Sequence, residues 1–140
     1  MQLSEHFTLS EMTRSDTAER NHIDNTPSQE VIDNLRALCR NVLEPARVAF
    51  GQPIYITSGY RCPALNAKVG GQPTSQHLRG EAADLQVRGV QNLRSLYKII
   101  DRLPHDQLLY ESNGTTKWLH VSFRQFGNRN QSLPNYKAKQ

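Results

Sequence analysis

Few of the usual signposts are present in this 140-residue chain. It has only two cysteines, Cys39 and Cys62, and neither belongs to a Cys-x-x-Cys pair, so no cysteine-based metal centre is encoded. Cys39 falls on an apolar helical stripe and reads as a buried free thiol; a Cys39–Cys62 disulfide stays open. No apolar run approaches the roughly 20 residues that cross a bilayer, so no membrane partner is expected. The first residues, Met1-Gln2-Leu3-Ser4-Glu5-His6, have neither the basic nor the apolar stretch of a secretory signal. A cytoplasmic location is therefore expected, with release by a separate route if the target lies outside. Charged residues make up 21% but form no block of one sign, which disfavours wholesale disorder. Nor are there arginine-rich blocks interleaved with aromatics, so no nucleic-acid partner is expected. The net charge of +4 is mild and fits either ordinary solubility or attraction to an anionic polymer. At 36%, the apolar fraction is low, which predicts a modest core and long loops in a single domain over residues 1–140.

What is present is local patterning. Thr8-Leu9-Ser10-Glu11 fits a capping box and predicts a short helix near 9–14. Residues 16–26 read as loop. Thr26-Pro27-Ser28-Gln29 starts a second helix, and Val31, Ile32, Leu35, Leu38, Cys39, Val42 and Leu43 recur at helical spacing, which predicts one helix over 27–49. Ile54–Ser58 and Ala82–Val87 read as strands, with a helical turn around 64–69 between them. A helix at 90–103 is followed by two strands, Gln107–Glu111 and Trp118–Phe123, joined around Asn113-Gly114. The tail from about 127 to 140 is polar and expected to fray. The fold class is α+β: a small, mostly antiparallel sheet with helices packed on one side.

Against this outline, His77, Asp84 and His120 stand out. Two imidazoles and one carboxylate are the donors a catalytic zinc uses when it keeps a fourth position for water. By spacing alone the set is weakly specific, and His6, His22 and His105 read as exposed or locally satisfied. The hairpin adds a geometric test. If Glu111 pairs with Trp118, then Leu109 faces His120 and Gln107 faces Ser122, and Glu111 shares a face with His120. That puts a carboxylate beside the metal water without making it a ligand, as a general base requires. A slip of one residue would move Glu111 to the other face. Trp118 reads either as core or as a substrate platform.

Taken together, Ser75-x-His77-x-x-Gly80-x-Ala82-x-Asp84 followed by Trp118-x-His120 resembles the D-alanyl-D-alanine carboxypeptidase family of zinc peptidases. That family groups with lysostaphin-type endopeptidases and the hedgehog domain. Ser58-Gly59-Tyr60-Arg61-Cys62-Pro63, Val69-Gly70-Gly71, Asp106–Glu111 and His120–Phe123 resemble its phage-type members, so the likeness covers about residues 2–125. The resemblance implies Zn2+ held by His77, Asp84 and His120, and hydrolysis of peptidoglycan stem peptides by a carboxypeptidase or an endolysin-type endopeptidase acting at the cell wall. It implies Arg61 as a carboxylate anchor, although a structural salt bridge is the alternative, and Ser75, Gln76, Tyr60 and Trp118 along the cleft. A monomer is expected. One position departs from the pattern. Many members carry an acidic base three residues before the last histidine ligand, and here that residue is Lys117. Either Glu111 takes the role, or the chain is a non-catalytic zinc-containing wall-binding or interaction module.

Overall fold

The computed structural model describes residues 1–137. Helix α1 (Leu9–Thr13) begins at the expected capping box: Thr8 Oγ1 accepts from the Glu11 N–H, and the Glu11 carboxylate accepts from the Thr8 N–H. A second short helix, α2 (Asp16–Arg20), occupies the segment read as loop; Ser15 caps it by accepting from the Ala18 N–H, and Ala18 is buried. Five residues carry too little periodicity to announce a helix, so only the cap and the docking of Ala18 decide it.

The long apolar stripe does form a helical spine, in three consecutive pieces: α3 (Gln29–Leu38), a π-helical stretch (Cys39–Leu43) and α4 (Glu44–Phe50). The wider turn is the correction to the single helix expected, and Pro45 explains it. A proline lacks the N–H and clashes with the carbonyl one turn back. The Glu44 N–H instead reaches Cys39 O, the wider spacing of a π turn. Leu35, Leu38, Cys39, Val42, Leu43 and Ala46 are all buried along this spine. Both cysteines are free, and burial pushes the Cys39 thiol up to about 12.

The rest of the chain alternates strand and helix: β1 (Tyr55–Ser58), α5 (Pro63–Lys68), a 3-10 turn (Gln76–Arg79), β2 (Ala82–Gln86), α6 (Val90–Asp101), β3 (Gln107–Ser112), β4 (Lys117–Ser122) and β5 (Gln131–Lys137). They form one sheet in the order β1-β2-β4-β3-β5, antiparallel except where β5 lies parallel to β3. The α+β reading is correct, and the sheet is mostly antiparallel. Its two faces differ. Ala83, Leu85, Leu108, Tyr110, Leu119 and Val121 alternate onto the face that packs into the hydrophobic core with α3, α4 and α6. The opposite face carries Asp84, Glu111, Trp118 and His120. No described helix is long and apolar enough to cross a membrane.

β5 corrects the expectation of a loose tail; residues 138–140 of that expectation lie outside the described residues. Its sequence, Gln131-Ser132-Leu133-Pro134-Asn135-Tyr136-Lys137, has no alternation to read. Polar contacts between distant segments hold it. Gln131 N–H donates to Asp106 O at 3.0 Å, and Arg94 Nη1 donates to Pro134 O at 3.3 Å. Ser132 Oγ lies 2.9 Å from His105 Nε2 and donates to Asp101 at 2.6 Å. His105 is thus a buried, satisfied histidine.

Candidate metal centre

Three segments deliver the site, each for a local reason. Ser75 caps the 3-10 turn by accepting from the His77 N–H at 3.2 Å, which swings the His77 ring inward. Gly80 ends that turn at φ +73°, where a Cβ would also meet Val31 at 2.8 Å. Close approach to α3, and not to an ion, is therefore why glycine stands there. On β2 and β4, Asp84 and His120 sit directly opposite one another in the register. Of the two hairpin registers left open by the sequence, the structure has the one that puts Glu111 on the face of His120: Gln107 opposite Ser122, Leu109 opposite His120, Glu111 opposite Trp118.

The donor atoms converge. His120 Nδ1 lies 2.9 Å and His77 Nε2 3.4 Å from Asp84 Oδ1, and the three side chains form one group of closely spaced ligand atoms. His77 Nδ1 is 2.7 Å from Gly59 O. A carbonyl only accepts, so the proton resides on Nδ1 and the Nε2 lone pair faces the cluster, the outer contact that orients a metal-bound histidine. Two imidazole nitrogens and one carboxylate oxygen, with that contact in place, fit a catalytic divalent metal such as zinc. A second group of ligand-type side chains, Glu5, His6 and Glu44, is on the surface. There Glu44 already accepts from Ser4 Oγ and the His6 N–H, which makes it an anchor for the N-terminal arm.

Electrostatics agree with this layout. Burial would raise the Asp84 pKa, but the charge and hydrogen bonds of His77 and His120 hold it well below the ordinary value. Burial would lower the His120 pKa, yet its hydrogen bond to Asp84 and the nearby charges of Asp84 and Glu111 raise it overall. Glu111 is pushed up by burial, with His120 opposing and Asp84 adding to the rise. Its Oε2 accepts from Trp118 Nε1 at 2.9 Å. Trp118 is thus neither simple core nor a bare platform, since it holds the carboxylate in place.

All these groups open into one cleft of about 540 Å3 that also admits Arg61, Ser75 and Gln76. Arg61 does not make the structural salt bridge that was its alternative reading. Among the described residues it has no ion pair; Nη2 makes only a long 3.5 Å contact with Ser75 Oγ, and Nε is buried without a partner. Burial lowers its pKa, with Asp84 opposing. Tyr60 is the correction: only 9% exposed, it packs in the core and borders a separate groove behind Arg61 instead of the cleft. Lys117 is exposed among α6-side residues such as Val90 and Leu93, away from the cluster. Gln72, Thr74, Arg79, Arg124 and Arg129 line the cleft and escaped the sequence reading, as did the part played by Asp106. Asp106 stood in a segment that carries the family resemblance, but its role had no signal because its partner, Arg129, lay in the supposed tail.

A comparison with curated proteins finds no match. A model of the family described as Peptidase M15 matches residues 5–122, which is most of the chain. The chain belongs to this metallopeptidase family.

Proposed function

We propose that this M15 chain is a zinc peptidase, a single catalytic domain that hydrolyses peptide bonds in peptidoglycan stem peptides, as a D-Ala-D-Ala carboxypeptidase or an endolysin-type endopeptidase. It acts at the bacterial cell wall after release from the cytoplasm. The observation that carries this reading is the convergence of His77 Nε2, Asp84 Oδ1 and His120 Nδ1 beside a half-buried carboxylate, Glu111, that is not one of the three. When bound to those atoms, zinc supplies Lewis acidity toward a peptide carbonyl and acidifies water.

The chain's own residues do the remaining work. Glu111 has one oxygen committed to Trp118, so the other is free to take a proton from the attacking water. Water oxygen bonds to the carbonyl carbon, the C–N bond breaks, and Glu111 returns the proton to the leaving amine nitrogen. Its raised pKa brings it nearer to neutrality, where a group that both takes and gives a proton works best. Arg61, carrying unspent donors in the same cleft, pairs with a substrate carboxylate. Ser75 and Gln76 line the approach.

One observation favours the non-catalytic alternative, namely Lys117 at the position where an acidic base resides in many relatives. Glu111→Gln decides between the two. The enzyme reading expects the variant to keep one zinc per chain and its thermal midpoint while muropeptide cleavage falls to background. A wild-type protein that binds zinc yet releases no fragments, with the variant equally inert, would establish the binding module.

A further inference from the structure

Beyond the matched residues, the chain between β4 and β5 builds a feature the reading above does not use. Asn128 closes the segment on itself: its Oδ1 accepts from the Arg124 N–H and its Nδ2 donates to Arg124 O, both at 2.8 Å. Gln125 ties it to Asn34 at 2.7 Å. Its far end is fixed by Asp106, a carboxylate with no solvent exposure. Asp106 accepts from the Arg129 N–H at 2.9 Å, Arg129 Nε at 3.1 Å, Arg129 Nη2 at 2.7 Å and Gln76 Nε2 at 3.1 Å.

This pairing is side-on. It uses Nε and one N–H of Nη2, which leaves Nη1 and the outer N–H of Nη2, the end-on fork of the guanidinium, unspent among the described residues. The Arg129 side chain is 54% exposed and lines the same cleft as the metal cluster. Arg124 lines it too, exposed and with no side-chain partner among the described residues. Topology separates these two arginines from Arg61. Arg61 follows β1, on one side of the β2–β4 pair that carries Asp84 and His120; Asp106 precedes β3, on the other side. The acidic groups of the cleft are already engaged, Asp84 by two imidazoles, Asp106 by Arg129, and Glu111 by Trp118.

We propose that Arg124 and Arg129 form a second anion subsite, which takes a carboxylate on the substrate distinct from the one paired with Arg61. The cleft then selects peptides with two free carboxylates across the cleaved region. This inference rests on the peptidase reading of the site.

The test uses two synthetic peptides, L-Ala-γ-D-Glu-L-Lys-D-Ala-D-Ala with a free glutamyl α-carboxylate and the same peptide as its α-amide. Both retain the terminal carboxylate, so the contribution of Arg61 cancels in their ratio. For the zinc-loaded wild type, KM for the free acid should be about tenfold lower than for the amide. Arg124→Gln should shrink that ratio several-fold, and adding Arg129→Lys should bring it to about one. Because the Arg124 side chain is exposed and has no partner among the described residues, the thermal midpoint of Arg124→Gln should stay at the wild-type value. An equal KM for both peptides in the wild type, or a ratio that Arg124→Gln leaves unchanged, overturns the subsite. Cleavage of neither peptide would defeat the peptidase reading instead. Calorimetric binding of the same two peptides then judges the subsite: a preference for the free acid that Arg124→Gln removes upholds it, and equal binding overturns it.

Discussion

Two aspartates line the cleft, Asp84 partly buried and Asp106 fully buried, and they have opposite kinds of neighbour. Asp84 faces two imidazoles, which can be neutral or charged and which offer lone pairs when neutral. Asp106 faces a guanidinium, which is permanently charged and offers no lone pair. The first arrangement can exchange its protons for a metal ion. The second can only hold shape. Both carboxyls sit below their ordinary pKa, so depressed acidity alone does not identify a reactive site; the donor chemistry around it does.

Substitutions that treat the two carboxylates alike should break this symmetry. The largest effect is expected from Asp84→Ala, which removes the shared ligand. Zinc content should fall from one per chain toward zero and peptide cleavage to background; retention of stoichiometric zinc, measured by plasma mass spectrometry, would sink the ligand assignment. Asp106→Ala should do the reverse, keeping zinc while costing about 2–3 kcal/mol in urea unfolding, because four hydrogen bonds lose their acceptor and Arg129 can return to water. Loss of zinc in that variant would show that Asp106 belongs to the metal site.

Acid titration sharpens the same contrast. Burial would raise the Asp106 pKa, but its hydrogen bonds and ion pair with Arg129 lower it from 3.8 to about 2. A folded-state pKa below the unfolded one means that the contribution is fully present above pH 3.8 and disappears as pH falls through about 2. The stability advantage of wild type over Asp106→Asn should therefore shrink by about 2 kcal/mol between pH 5 and pH 2. A constant difference over that range would deny the carboxylate its role. The smallest effect concerns Glu111 and its holder. Trp118→Phe should lower kcat about tenfold, the loss of one hydrogen bond to a charged group, with KM and zinc content near wild type. A rise in KM alone would make Trp118 a substrate contact.

Much of the site was legible because its signals are local. A capping box, a helical stripe and period-two strands can be read within about ten residues, and each marked a helical or strand segment that the structure contains, the stripe without its π turn. The same alternation told which residues share a face once the hairpin register is set; the strand pairing itself set that register and put Glu111 on the face of His120. The misses share a cause. Residues 16–20 are too short for periodicity, the π turn depends on one proline inside an otherwise regular stripe, and β5 has no apolar alternation at all. Tyr60 and Arg61 are neighbours in sequence, yet one is core and the other lines the cleft, because backbone direction past β1 separates them.

By itself, then, the sequence determined the α+β class, the main helices and strands, and the three ligand-type residues with their partner carboxylate, because donor type and residue period are properties of short stretches. Only the tertiary structure decided that Arg61 has no ion pair, that Trp118 grips Glu111, and that Asp106 draws Arg129 back to the cleft. Those outcomes join residues far apart in the chain, whose pairing follows from how the strands are ordered and which polar groups are left to be satisfied once the core is closed.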